Sequence, residues 1–331
     1  MIPVASSGVV PAAPGCVPVH EWPWCRSRSS ASRGPVSQPR ISDDVELVLD
    51  ARAAVGEGAV WDETGGQLVW VDIPVGLVHR LDPASGRDES IDVGQPVGAI
   101  VLREAGGYVL ALRDGFALLD PTGPEIRVVR EVEARDPRTR MNDGRCDSAG
   151  RFWAGTMALD MRSGAGSLYR LDRDLSAVKL LDRLTVPNGI AWSPDDRTMY
   201  LVDSGEHCVD AFDFNAEAGT IDHRRRLIEI PQQDGLPDGM SIDVDGCLWI
   251  ALWGGWAVRC YEPDGRLRRR VDLPVARVTS CAFGGENLNE LYVTSAGEGL
   301  TTDQRARQPH AGGVFRLRPG TQGPVARRFG G

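Results

Sequence analysis

The chain contains no apolar run long enough to span a bilayer, no Cys-x-x-Cys pair, and no G-x-S-x-G, G-x-x-x-x-G-K-[ST] or H-E-x-x-H signature. Transmembrane helices, serine nucleophiles on a strand-to-helix elbow, phosphate-cradling loops and helical zinc-protease sites are therefore not expected. Its five histidines (His20, His79, His207, His223, His310) fall in no metal-ligand spacing. The seven cysteines are scattered and odd in number, which argues against a disulfide framework or a structural zinc site and for a reducing compartment. A basic face is also missing. Net charge is −9, and because residues 1–40 carry +3 the remaining chain carries −12. Nucleic acid, which demands a basic surface, is not an expected partner.

What is present begins with a contrast. Residues 1–40 are dense in Pro, Ser, Ala and Arg and show neither a two-residue nor a 3.6-residue apolar period, so they read as a disordered tail. Pro3, Pro11, Pro14 and Pro18 interrupt any signal-peptide core, and no positive segment precedes it, so a cytoplasmic protein is expected. From Val45 onward one pattern recurs: GAVWDETGGQLVWVD at Gly58, GAIVLREAGGYVLAL at Gly98, GRCDSAGRFWAGT at Gly144, GIAWSPDDRTMYLVD at Gly189, GMSIDVDGCLWIAL at Gly239 and SCAFGGENLNELYVTS at Ser280. Each copy is a strand, a polar turn and a second strand, and a third strand such as LVHRLDP or SLYRLDR follows. The six starts lie 40, 46, 45, 50 and 41 residues apart, the period of four-stranded propeller blades. The fold class is thus all-β: a six-bladed β-propeller over residues 41–331, with four-stranded blades. The early strand VELVLD (45–50) has no blade of its own and is expected to complete the sixth, closing the ring.

Radial repetition also predicts a site. The innermost strand of each blade runs beside the central channel, so the residue before each copy stands at one mouth of it. Those residues are Glu57, Val97, Asp143, Asn188, Asp238 and Thr279. Any one of them, followed by glycine, reads as a turn residue. In a shared register they bring five oxygen-bearing side chains, three of them acidic, to one axis. That much like charge calls for compensation, most simply by a hard divalent cation.

The segments GEGAVW (56–61), RMNDGRCDSAGRFWAGTM (140–157), PNGIAWSPDD (187–196), PDGM (237–240) and 279–294 resemble, in unbroken order across about 45–320, the SMP-30/gluconolactonase/regucalcin family. The resemblance implies a six-bladed propeller holding one divalent metal and, in many members, hydrolysing aldonolactones. Matched motif by motif, it implies Glu57, Asn188 and Asp238 as metal ligands, Asp238 as the catalytic base, and Arg140 and Asn142 as substrate contacts. Asp143 and Asp203 are implied to lie just outside the ligand set, and Asp160 matches its family counterpart only loosely. Ligand hardness suggests Ca²⁺, Mg²⁺ or Mn²⁺, with Zn²⁺ and Fe²⁺ also compatible with carboxylates.

The expected activity is therefore metal-dependent hydrolysis of a sugar lactone to the aldonic acid, by a monomer or small homo-oligomer with no membrane partner. A non-catalytic propeller binding Ca²⁺ or a protein partner is the alternative, as is an esterase or phosphotriesterase on the same site. Most tryptophans recur at repeat positions and read as blade core. Trp253 and Trp256, at the end of a strand, are candidates to roof a sugar pocket. The runs Arg224–Arg226 and Arg268–Arg270 read as solvated blade edges.

Overall fold

A computed structural model describes residues 45–331 apart from 121, 122 and 124. The expected tail over 1–40 lies outside the described residues. The first blade is β2 (Gly56–Asp62), β3 (Gln67–Asp72), β4 (Leu77–Asp82) and β5 (Arg87–Asp92), and the second β6 (Val97–Leu102), β7 (Tyr108–Leu112), β8 (Gly115–Leu119) and β9 (Ile126–Glu131). The third is β10 (Thr139–Cys146), β11 (Phe152–Ala158), β12 (Gly166–Leu171) and β13 (Ala177–Leu184). The fourth is β14 (Pro187–Trp192), β15 (Thr198–Asp203), β16 (Cys208–Asn215) and β17 (Thr220–Glu229), and the fifth β18 (Leu236–Ile242), β19 (Leu248–Trp253), β20 (Ala257–Tyr261) and β21 (Leu267–Asp272). Blade six is β22 (Val278–Gly284), β23 (Glu290–Ser295), β24 (Val314–Leu317) and, returning from the start of the chain, β1 (Glu46–Leu49). Each sheet is antiparallel with its strands in sequence order from the axis outward; β1 supplies the outermost strand of the last by pairing Leu47 with Phe315. The ring closes as the sequence predicts.

Burial follows the layering. The inner strands β2, β6, β14, β18 and β22 are buried almost throughout because both of their faces meet neighbouring blades, whereas outer strands such as β5 and β17 alternate or are exposed. The blades pack through large side chains: Trp153 meets Trp192 edge-on at 5.8 Å and Trp61 stacks on Tyr292 at 5.3 Å. Burying each such ring contributes roughly 1.5–3 kcal/mol. The arginine run on β17 is an edge, as expected, with Arg224 and Arg226 both paired to Asp210 of β16. All five cysteines among the described residues are free and buried.

The sequence pattern does not announce the last feature. After β24 the chain crosses the far end of the channel as a strap over 318–331. Gln322 accepts from the Val244 N–H, Phe329 bonds Leu102 and Glu104 through its backbone, and Arg327 and Arg328 pair with Asp196 and Asp62. The Phe329 side chain is fully buried. Beneath the strap lies a cavity of about 260 Å³, lined by Trp61, Ile100, Cys146, Trp192 and Phe283 from the inner strands and Ala326 from the strap. The only α-helix among the described residues, α1 (Thr302–Arg307), spans six residues, so no helix is long and apolar enough to cross a membrane.

Candidate metal centre at the channel mouth

Every inner strand carries a bulge at the same height. Pairing with the second strand slips by one residue between Glu57 and Val60, Val97 and Ala99, Met141 and Gly144, Pro187 and Ile190, Pro237 and Met240, and Val278 and Cys281. A bulge bends its strand and re-aims a side chain. The residues expected just before the strands thus lie within them, beside the bulges. The glycine that follows is there for close approach: a Cβ on Gly189 would stand 2.5 Å from Met240 Cβ, and one on Gly239 2.6 Å from Ser280 Oγ.

At the mouth, Glu57, Asn188, Asp238, Arg140 and Asn142 line one pocket together with Ser204, Met157, Met161, Leu236 and Trp253. All five predicted residues are buried, at 5–8 % exposure, so their polar atoms must be paired or held for a ligand. Asn188 Nδ2 donates to Asp238 Oδ1 and, at 3.2 Å, to Ser204 Oγ; the Ser204 hydroxyl donates in turn to the Pro237 carbonyl at 2.6 Å. This fixes the Asn188 amide so that Oδ1 is left over, and that atom is buried without a hydrogen-bond partner. Arg140 Nη1 donates to Asn142 Oδ1 at 2.7 Å and to the Met141 carbonyl at 2.9 Å, while Asn142 Nδ2 donates to the Pro187 carbonyl at 3.0 Å.

Electrostatics distinguish the carboxylates. Burial, then the charges of Asp238 and Asp143, hold the Glu57 carboxyl well above the usual carboxylate range. Asp238 is likewise pushed well up by burial and by Asp143, and hydrogen-bonds Glu57. Asp143 is raised by burial against the opposing pull of Arg145. It does not line the pocket: its Oδ1 accepts from the Gly144 N–H at 2.7 Å and its Oδ2 is buried without a partner. Three acidic groups around one axis, an unpaired amide oxygen and an unpaired carboxylate oxygen fit a hard divalent cation. Glu57, Asn188 and Asp238 line one pocket and offer oxygens that could hold such an ion.

Other expectations sort themselves by position. Asp203 is not at the mouth. Its oxygens accept the N–H groups of Thr185, Val186 and Gly205, pinning the segment that leads into Asn188, as Asp72 does for Ala54 and Val55 in blade one. Trp253 lines the pocket with Arg277 over its ring at 5.1 Å, but Trp256 is absent from the lining and sits in a left-handed turn at φ 58°. His207 caps the short 3-10 turn over Ser204–Glu206 and also stays out of the pocket. Ser204 was not anticipated; its place right after Asp203 in Y-L-V-D-S is the only trace of it in the sequence. A separate group of possible ligands, Asp243, Cys247 and Cys260, lies in blade five.

The family model for the SMP-30/Gluconolactonase/LRE-like region matches residues 55–297. Regucalcin of Gallus gallus is 40% identical over 279 residues, covering 82% of this chain and 93% of its own. Among solved structures, a calcium-binding regucalcin from Agrobacterium tumefaciens superposes with a TM-score of 0.82 at 30% identity, covering 86% of this chain and 96% of its own. A luciferin-regenerating enzyme superposes with a TM-score of 0.81 at 32% identity, covering 86% and 99%. With the model spanning most of the chain, this protein belongs to the SMP-30/gluconolactonase/regucalcin family of six-bladed propellers.

Proposed function

We propose that the mouth hydrolyses a small sugar lactone to the aldonic acid with one divalent ion held by Glu57, Asn188 and Asp238. The observation that carries this reading is the meeting, in one buried pocket, of an oxygen-ligand set with a cation and an amide that an ion site alone does not need. When bound, the ion supplies Lewis-acid polarisation of an ester carbonyl. Ca²⁺, Mg²⁺, Mn²⁺ and Zn²⁺ all suit the donors, and Fe²⁺ is compatible with them.

The chain's own residues do the rest. The enclosed volume is only about 40 Å³, so a lactone inserts its carbonyl end and leaves its hydroxyls toward the rim. Arg140 directs its guanidinium at the ring or hydroxyl oxygens, and Asn142, held by Pro187 and Arg140, fixes the guanidinium's orientation. Asp238, ionised once a cation offsets its neighbours, accepts the proton of the attacking water. Met157, Met161, Leu236 and Trp253 form the apolar wall that limits bulk water around the ester.

The test is a screen of the chelated and metal-reconstituted protein against pentono- and hexonolactones with a pH-indicator readout. Hydrolysis that disappears on chelation and returns with one divalent ion is expected. Ion binding without turnover of any lactone, ester or phosphotriester would favour a Ca²⁺-binding platform, the property named for the Agrobacterium relative.

A further inference from the structure

Blades three and five contain the same turn, with one exchange. In blade three Asp147 accepts the N–H of Ala149 and of Arg151, both at 3.0 Å, and Trp153 Nε1–H at 2.8 Å. In blade five Asp243 accepts the N–H of Asp245 at 3.1 Å and of Cys247 at 2.8 Å, and Trp249 Nε1–H at 3.0 Å. In blade three the fourth lone-pair position of Asp147 is filled by the Arg151 guanidinium at 2.6 Å, which also neutralises it. Cys247 replaces that arginine in blade five. Asp243 is 1% exposed and forms no ion pair among the described residues, and its Oδ2 retains one acceptor position. A buried carboxylate without a counter-charge is costly.

Two thiols occupy the place of the missing cation. Cys247 and Cys260 are each 1% exposed, and their sulfurs and an Asp243 oxygen lie within 4.8 Å of one another. Glu262 Oε2 is 3.6 Å from Cys247 Sγ. A tetrahedral zinc shell sets its ligand atoms roughly 3.3–3.8 Å apart, so this group needs to contract by about an ångström. We propose that blade five holds a thiophilic divalent cation of the Zn²⁺ or Cd²⁺ type, bound by Cys247 Sγ, Cys260 Sγ and Asp243 Oδ2 with Glu262 as the fourth ligand. The cation takes the structural place that Arg151 fills in blade three. Binding displaces one proton from each thiol to solvent. Arg268 Nη1, 3.3 Å from Cys247 Sγ, sits on the solvent side with its side chain 51% exposed, and swings outward as the cation enters.

The reduced full-length protein, its mouth saturated with Mg²⁺, is titrated with Cd²⁺. The readout is the ultraviolet thiolate-to-cadmium band, which an oxygen-only mouth site cannot produce. One equivalent is expected to give the band and release two protons. Cys247→Ser and Cys260→Ser should each lose about half of the band, one of the two thiolate–cadmium bonds being gone, and weaken binding roughly tenfold or more. Cys208→Ser, Cys281→Ser and the Cys16→Ser/Cys25→Ser pair should retain it, and lactone hydrolysis should not change. Should a serine variant fail to fold, alkylation of the wild-type protein decides: bound Cd²⁺ must protect Cys247 and Cys260 selectively. Absence of a one-equivalent band, its survival at full strength in both variants, or equal alkylation with and without metal would overturn the proposal.

Discussion

The two ends of the central channel are lined by the same six strands and have opposite chemistry. At the mouth, each inner strand carries a bulge, and Glu57, Asn188 and Asp238 beside three of the bulges line one polar pocket; at the far end the same strands run on regularly and present Trp61, Ile100, Trp192 and Phe283 to a cavity closed by the C-terminal strap. One extra residue per strand separates a polar site from an apolar filling. The consequence is a division of labour: polar groups that repel one another are concentrated where a ligand can reconcile them, and ring stability is supplied by burial elsewhere.

The largest effect expected is at the mouth. Chelation, or Glu57→Gln, should abolish lactone hydrolysis, and full activity in protein shown by elemental analysis to be metal-free would break the division outright. Next comes the far end. Phe329→Ala empties a fully buried site under the strap and should cost about 3–5 kcal/mol in denaturant unfolding, while the variant, still folded at low temperature, keeps its KM. A change in KM as large as the loss of stability would show that the two ends are coupled.

Arg140→Ala should bind metal normally yet lose about 1.5–3 kcal/mol of kcat/KM, the range for a charged hydrogen bond. Equal loss of metal affinity in Arg140→Ala and Glu57→Gln, read by calorimetry, would instead make Arg140 a partner of the ligand set. A smaller effect concerns pH. The folded-state values of Glu57 and Asp238 are raised, so without metal their contribution is full below the ordinary carboxylate range and declines as pH climbs through the raised values. The Tm of chelated protein should therefore fall, relative to the metal-loaded protein, as pH climbs above the ordinary carboxylate range; parallel curves would contradict the shared repulsion. The smallest effect is expected from deleting residues 1–40. All six sheets are complete from Glu46 onward, so rate and Tm should stay nearly unchanged.

Much of this was legible in the chain because a propeller repeats its geometry. The residue-glycine step before Ala59, Ala99, Arg145, Ile190 and Met240 recurs because each inner strand needs a bulge and a gap for its neighbour, so the repeat exposes site and fold together. Asp203, expected just outside the ligand set, caps three backbone N–H groups in the segment that leads to Asn188, a task that an acidic side chain at a strand end does not reveal in the sequence. Trp256 was overestimated because its place in a left-handed turn, outside the pocket lining, is not marked in the local sequence.

The sequence by itself determined the six-fold repetition, the all-β class, the closing role of Glu46–Leu49 and the register of the oxygen-bearing residues, because each is written in spacing that local strand and turn preferences must obey. Tertiary structure alone decided which of those residues share a pocket, that Ser204 leaves Asn188 with a spare oxygen, that the strap seals the far end, and that Cys247 meets Cys260. These depend on contacts between strands and between blades, whose distances no local spacing along the chain encodes.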